Sequence, residues 1–307
     1  MTNQVFKDEL TNPKPHAYGF SHGRDSLSSL PEDPIEVAIS SDGVNWKSYY
    51  DVQDLFGVHC YDWDVAQANP IDNFQKINTR DGQHLTSSNF DSRDINSTWM
   101  VDGENETEFR MLYSELHNFF MTRSGFWIVF GNEPTFKYRV KTKVFAPTYF
   151  NEHQASLIIT FNNYTGMRES VGTSLEIFKN KNFFSFGMGI PNKDISFESK
   201  EKKFSIYNPS SVRIDPLGQD HVLKIHITGV GSPTLTNKTT GEVFTYNRVL
   251  STNDELILNG VNPYINGQPD GINSNHGTIS LAKGDNEFEI SGLSNSDISF
   301  EFYFIYF

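Results

Sequence analysis

Residues 124–150 read SGFWIVFGNEPTFKYRVKTKVFAPTYF. Five consecutive apolar residues, Phe126 to Phe130, are too few for a helix of ordinary length and fit a strand covered on both faces. After a short polar turn, the alternation restarts. Tyr138, Val140, Thr142 and Val144 fall on one side of an extended chain, and Lys137, Arg139, Lys141 and Lys143 on the other. The pair predicts two neighbouring strands of a sheet, one side apolar and one strongly cationic. The cationic side is out of character for a chain of net charge -13. It faces either an acidic neighbour or solvent, where lysines discourage stray edge pairing.

Upstream of this pair lies the one clear helix. Phe109, Leu112, Tyr113, Leu116, Phe119 and Phe120 recur at helical spacing and form a single apolar stripe. Asn105 is its N-cap with Glu108 three residues later, and Ser124-Gly125 its stop. The alternation of Asp102, Glu104, Glu106 and Glu108 does not make a calcium loop, because Thr107 and Tyr113 stand where the loop needs Gly and Glu. Further upstream, Ile35 to Ile39, His59 to Val65 and Ile95 to Val101 read as strands. Ser41 to Asn45 is a turn, and Asn78 to Gln83 is a tight turn or longer loop. Downstream, Leu157, Ile159 and Phe161 mark another strand.

Near Gly172 the texture changes to short strands between turns. These are Phe183–Phe186, Phe204–Tyr207, Val212–Ile214, Val222–Thr228, Val243–Tyr246, Glu255–Leu258, Thr278–Leu281, Glu287–Ile290 and Ile298–Phe304, which predict a β-sandwich or jelly roll. With 26 Phe and 13 Tyr, composition also favours sheet. The fold class is therefore mainly β with one amphipathic helix. The expected domains are a polar arm over 1–34, a first domain over 35–172 and a C-terminal sandwich over 173–307.

The acidic balance argues against nucleic-acid and anionic-membrane partners. Cys60 is the lone cysteine, so neither an intrachain disulfide nor a cysteine-based zinc site is available. There is no signal-peptide core at the N-terminus and no apolar run of membrane-spanning length, which predicts synthesis and folding in a cytoplasm. A search for chemistry finds no nucleophile elbow, phosphate loop or zinc-helix motif. His221 and His226 cannot chelate one ion from a strand, and no cofactor, metal or catalytic residue is assigned. Asp62 and Asp64 beside Trp63 are the best carboxylate pair for a glycan hydrolase. The loop Asn262 to Pro269 is the best place for a sugar in a carbohydrate-binding adhesin acting through the C-terminal sandwich.

The order of parts resembles the distal tail protein family of siphophages, especially those infecting Gram-positive hosts. The resemblance is carried by Trp46, the Arg80-Asp81-Gly82 turn, the helix EFRMLYSELHNFF, the strand pair FWIVFGNEPTFKYRVKTKVFAP and SLIITF. It continues through KNKNFFSFGMGIP, FSIYNPSSVRIDP, LTNKTTGE, LILNGVNPYINGQ and DISFEFYFIYF, and so spans about residues 35–307. It implies a non-enzymatic virion component of the tail tip. The front domain would be a ring-forming sandwich that closes into a homo-hexamer, as one ring or two back to back. That ring would join the tail tube protein to the tail-associated lysin or spike. The C-terminal domain would be galectin-like and carry receptor-binding or other baseplate proteins. On this view Lys137, Arg139, Lys141 and Lys143 face a neighbouring subunit or partner. The polar arm is a departure from the family, and the sugar-holding residues of true galectins are not recognisable.

Overall fold

The computed structural model describes residues 5–6, 34–179, 183, 187–191 and 194–307. The expected arm falls outside these residues except for Val5 and Phe6, both buried, and Pro34, and so does all of the Phe183–Phe186 strand but Phe183, which lies in a turn of 3-10 helix. The chain divides into two units, 1–171 with Phe307, and 172–306.

The first unit contains β1 (Val37–Ser40), β2 (Lys47–Ser48), β3 (Val58–Val65), β4 (Pro70–Gln75), β5 (His84–Phe90) and β6 (Arg93–Asp102). Then follow α1 (Glu106–Phe120), β7 (Phe126–Phe130), β8 (Phe136–Tyr149) and β9 (Gln154–Ser170). The main sheet is antiparallel in the order β2-β1-β7-β8-β9-β6-β3. It curls until its far edge meets its start: Ile35, just before β1, bridges Cys60 of β3, donating its N–H to the Cys60 carbonyl at 2.6 Å. The two layers of this unit thus belong to one continuous sheet. Closure removes the exposed ladder that an open sheet would leave at each side.

The opening stretch behaves as its apolar run dictates. All five residues of β7 are buried. Phe126, Ile128 and Phe130 join the core with Val37, Trp99, Leu157 and the α1 stripe of Phe109, Leu112, Leu116 and Phe120. Trp127 faces the other way and is covered by Lys137 and Arg139, whose charges lie 4.7 and 5.1 Å from its ring centre. The turn before β2 supplies the rest of that cover. Gly43 sits at φ 75°, and a Cβ there would stand 3.0 Å from the Trp127 indole nitrogen. The Asp42 carboxylate accepts from the Val44 and Asn45 N–H groups, both at 2.8 Å, which holds its pKa well below the usual range.

Helix α1 starts as expected, with Asn105 Oδ1 accepting from the Glu108 N–H at 3.1 Å. It stops at Phe120, short of Ser124-Gly125, because Met121 is already extended. The Phe120 carbonyl is satisfied by the Thr142 hydroxyl of β8 at 2.7 Å, so a strand side chain caps the helix end.

The second unit contains β10 (Glu198–Ser199), β11 (Lys203–Asn208), β12 (Leu223–Asn237), β13 (Glu242–Thr245), β14 (Glu255–Asn259) and β15 (Asn262–Ile265). It continues with β16 (Gln268–Pro269), β17 (Gly284–Phe302) and β18 (Ile305–Tyr306). The order is β10-β17-β12-β14-β15-β16, with β11 also on β17 and β13 on β12. Three expectations change here. Val222–Thr228 is only the beginning of the long β12. Glu287–Ile290 and part of Ile298–Phe304 are two ends of one strand, β17. Val212–Ile214 and Thr278–Leu281 shrink to a single bridge, Ile214 to Leu281.

Glycine explains the long strands. The β12–β17 register shifts at Thr228/Val230 and Gly231/Thr234. A Cβ on Gly231 would lie 2.1 Å from the Gly292 carbonyl oxygen, and one on Gly292 2.0 Å from that of Ser232. Only glycines allow this approach, and the bulges bend the strands without ending them. Near the start of β17, buried Asn286 donates to the Ala282 and Gly284 carbonyls at 2.8 and 3.0 Å and accepts from the Ala282 N–H at 2.8 Å. Together with Asn237, which donates to the Ser280 carbonyl at 2.8 Å, it ties irregular chain to the sheet.

Candidate assembly surfaces

The cationic strand does not present a single row. Bulges at Tyr138/Val140 and Thr142/Val144 reset the alternation twice. Lys137 is 1% exposed, pinned over Trp127 and opposite Glu169 in register. Burial pushes the Glu169 pKa up, against the pull of Lys137 and Arg139. Val144 turns outward and Phe145 packs against the core in its place. Arg139, Lys141 and Lys143 do face outward, each with a local partner. Arg139 Nε donates to the Tyr164 hydroxyl at 2.6 Å, Lys141 Nζ to the Arg123 carbonyl at 3.3 Å, and Lys143 Nζ pairs with Asp94 at 2.6 Å. The stripe is thus three outward cations and one buried anchor, a difference that period-two reading cannot see once bulges intervene.

A larger feature went unread in the sequence. Among the described residues, strands β4 and β5 pair only with each other, as a separate two-stranded sheet joined by the Arg80-Asp81-Gly82 tip. Every residue of both strands is exposed. Yet they carry Ile71, Phe74, Leu85 and Phe90, with Ile77 in the connection; Phe74 is 56% exposed. Polar bonds brace the pair, Asn73 Nδ2 to the Ser87 hydroxyl at 2.9 Å and the Thr86 hydroxyl to the Asn73 carbonyl at 2.7 Å. An isolated hairpin is marginal in water, and one that displays aromatics calls for a surface to cover it. The outward side of the main sheet is a matching kind of surface. There Ala146 of β8, Ile158 of β9 and Thr98 of β6 lie side by side in register, with Val144 opposite Thr160 one step along, and Ile158 is 50% exposed.

Asp62 and Asp64 share an outward face of β3, opposite Thr98 and Asn96. The loop proposed for sugar is a hairpin turn, with Asn266 and Gly267 at positive φ. Asn266 spends its side chain internally, donating to Asp254 at 2.8 Å and accepting from the Glu255 N–H at 3.0 Å. Among the described residues, no three His, Cys, Asp or Glu side chains are placed to hold a metal ion. Nor is any helix among them long and apolar enough to cross a membrane.

The second unit has a shallow cleft of about 380 Å³, lined by Leu175, Glu198, His226, Thr228, Glu255, Asp297 and Ser299. His226 reaches Glu255 at 3.0 Å through Nδ1 and Glu301 at 3.7 Å through Nε2, and Lys224 also contacts Glu301. Its pKa is raised, chiefly by Glu301 and then Glu255, against burial. Glu301 dominates despite its longer contact because it is the less solvated acid. A raised histidine stabilises the fold fully below its unfolded pKa of about 6.5 and loses that contribution as pH rises through the folded value. As pH rises above about 6.5 the second unit is therefore expected to lose stability. His226→Gln should flatten that slope in urea titrations across this pH range; an unchanged slope would exclude the histidine as its source.

These units thus define a mainly β protein of two units. Residues 47–163 match the family model described as the phage tail protein RIFT-related domain. The match lies within the front unit, and the fold of the chain is similar to that of a solved distal tail protein. The fold match is to the crystal structure of the phage SPP1 Dit (gp 19.1) protein, described as a paradigm of the hub adsorption apparatus in Gram-positive-infecting phages. It has a TM-score of 0.61 at 12% identity, over 87% of this chain and 99% of that one. Two structures of the phage p2 baseplate in its activated conformation, with strontium and with calcium, align at a TM-score of 0.44 and 13% identity. They cover 88% of this chain and 97% and 98% of theirs. No curated protein matches the sequence.

Proposed function

We propose that this chain is the hub of a phage tail tip. Copies of the front unit close into a six-membered ring that joins the tail tube to the tail-associated protein. The second unit serves as the docking point for receptor-binding or other baseplate proteins. The role is geometric, not enzymatic: the ring sets the symmetry and keeps an axial opening. The observation that carries this reading is the β4–β5 hairpin, an apolar projection from a sheet already closed on itself. A closed sheet has no free edge for its own hairpin, so a second chain is the natural place for it. A ring also needs two different patches on each copy, and the hairpin and the outward sheet face are two such patches. The RIFT-related domain and the SPP1 Dit-like fold support the assignment to the tail tip.

The outward cations give a test. In Lys141→Glu with Lys143→Glu, the second substitution sets a carboxylate beside Asp94. The double variant is expected to weaken the assembly about tenfold or more and to change its salt sensitivity, read by light scattering at several salt concentrations. An assembly of unchanged size and salt response would mean that the stripe faces only solvent.

A further inference from the structure

Arg93, the first residue of β6, points into the first unit and is only 8% exposed. Its Nε is enclosed and meets no hydrogen-bond partner, and the same is true of Nε of Arg168 on β9. Arg168 has an acid of its own: Nη1 contacts Glu133 at 2.7 Å, and its guanidinium lies 4.2 Å from the Phe136 ring centre. Arg93 has none among the described residues. Its charge is felt by the Tyr138 hydroxyl and, repulsively, by Arg168, while burial presses its pKa below the usual value. The one carboxylate of this cluster, Glu133, is thus held by Arg168, and Arg93 is left without one among the described residues.

A buried charge is tolerated when it is paired and hydrogen-bonded, and an orphan is costly enough to call for a reason. The planar fork of a guanidinium fits a carboxylate in particular. Carboxylates are abundant on copies of this chain, which has 38 acidic against 25 basic residues. Moreover, Arg93 follows the projecting hairpin directly, two residues after Asp91, so it stands at the root of the surface through which copies would meet.

We propose that Arg93, with Arg168 beside it, is a receptor for one carboxylate, filled in the ring by an acidic side chain of a neighbouring copy. This rests on the ring reading above. The test uses the full chain and Arg93→Met, which keeps length and removes charge. Malonate, at ionic strength matched with chloride, should loosen the parent ring about tenfold by occupying the site. The Met variant should be looser by a similar factor at the outset and indifferent to malonate. In dilute single copies its thermal midpoint should not fall below the parent's, since an unpaired buried charge has been removed. A variant ring as tight as the parent's overturns the proposal. So does a lowered midpoint with equal malonate response in both proteins, which would make Arg93 a prop of the core. A parent that never forms rings defeats the ring reading separately. The receptor is then judged by whether malonate raises the midpoint of the parent and not of the variant.

Discussion

Replacing residues 70–90 by a short Gly-Ser link is expected to convert closed assemblies into single copies while leaving the first unit folded. The splice is short because the ends already stand together, the Asp91 N–H donating to the Asn69 carbonyl at 2.9 Å. The fold should survive because every residue of both hairpin strands is exposed and none belongs to the core cluster. Its unfolding midpoint should stay within about 2 °C of the parent's. Association is another matter. Fully burying a large apolar side chain contributes about 1.5–3 kcal/mol, and Ile71, Phe74, Leu85 and Phe90 are each about half exposed, so the four together bring on the order of 4 kcal/mol to an interface. Losing that weakens association by roughly three orders of magnitude. Assemblies of parental size in the shortened chain would remove the hairpin from the interface.

The largest stability effect should come from Trp99→Ala, at about 3–5 kcal/mol. Trp99 is fully buried, edge-on to Tyr49 and Phe120 with ring centres 5.2 and 5.3 Å away. Its indole N–H donates to the Ser97 hydroxyl at 2.7 Å, and that hydroxyl donates to the Ile159 carbonyl at 3.0 Å. Truncation opens a cavity where β6, α1 and the turn after β2 meet, and it strips Ser97 of its donor. Trp99→Phe should cost much less, since most of the ring volume stays. In denaturant titrations the change should fall on the transition of the first unit alone. A loss below about 1 kcal/mol, or one shared equally by both units, would contradict this account of the core.

The sequence was most legible where pattern and burial coincide. The α1 stripe, the uninterrupted FWIVF run, and the β3 and β6 alternations read through to structure because each has one wet and one dry side, or none wet. It misled where the backbone departs from regular spacing. Gly229, Gly231 and Gly292 look like punctuation, yet they carry β12 and β17 through a bend as single long strands. Bulges in β8 turned Val144 outward, and Lys137 is buried over Trp127, so a row of cations on paper became three outward charges and an anchor. The hairpin was invisible for a different reason: its few apolar residues sit among polar ones and none joins the core, Phe90 meeting only the ring of Phe307 4.6 Å away, so no internal periodicity marks them. Arg93 left no trace either, since a buried arginine and a solvated one are the same letter. A pattern of apolar residues that the fold leaves uncovered is the signal that could have found the hairpin.

The account turns on whether front units close around an axis. Negative-stain images of the purified full chain, with light scattering for mass, address this directly. The prediction is an annulus of six copies with a central opening, single or as two rings back to back. Particles with the mass of one chain at all accessible concentrations, or open chains that never close, would contradict it.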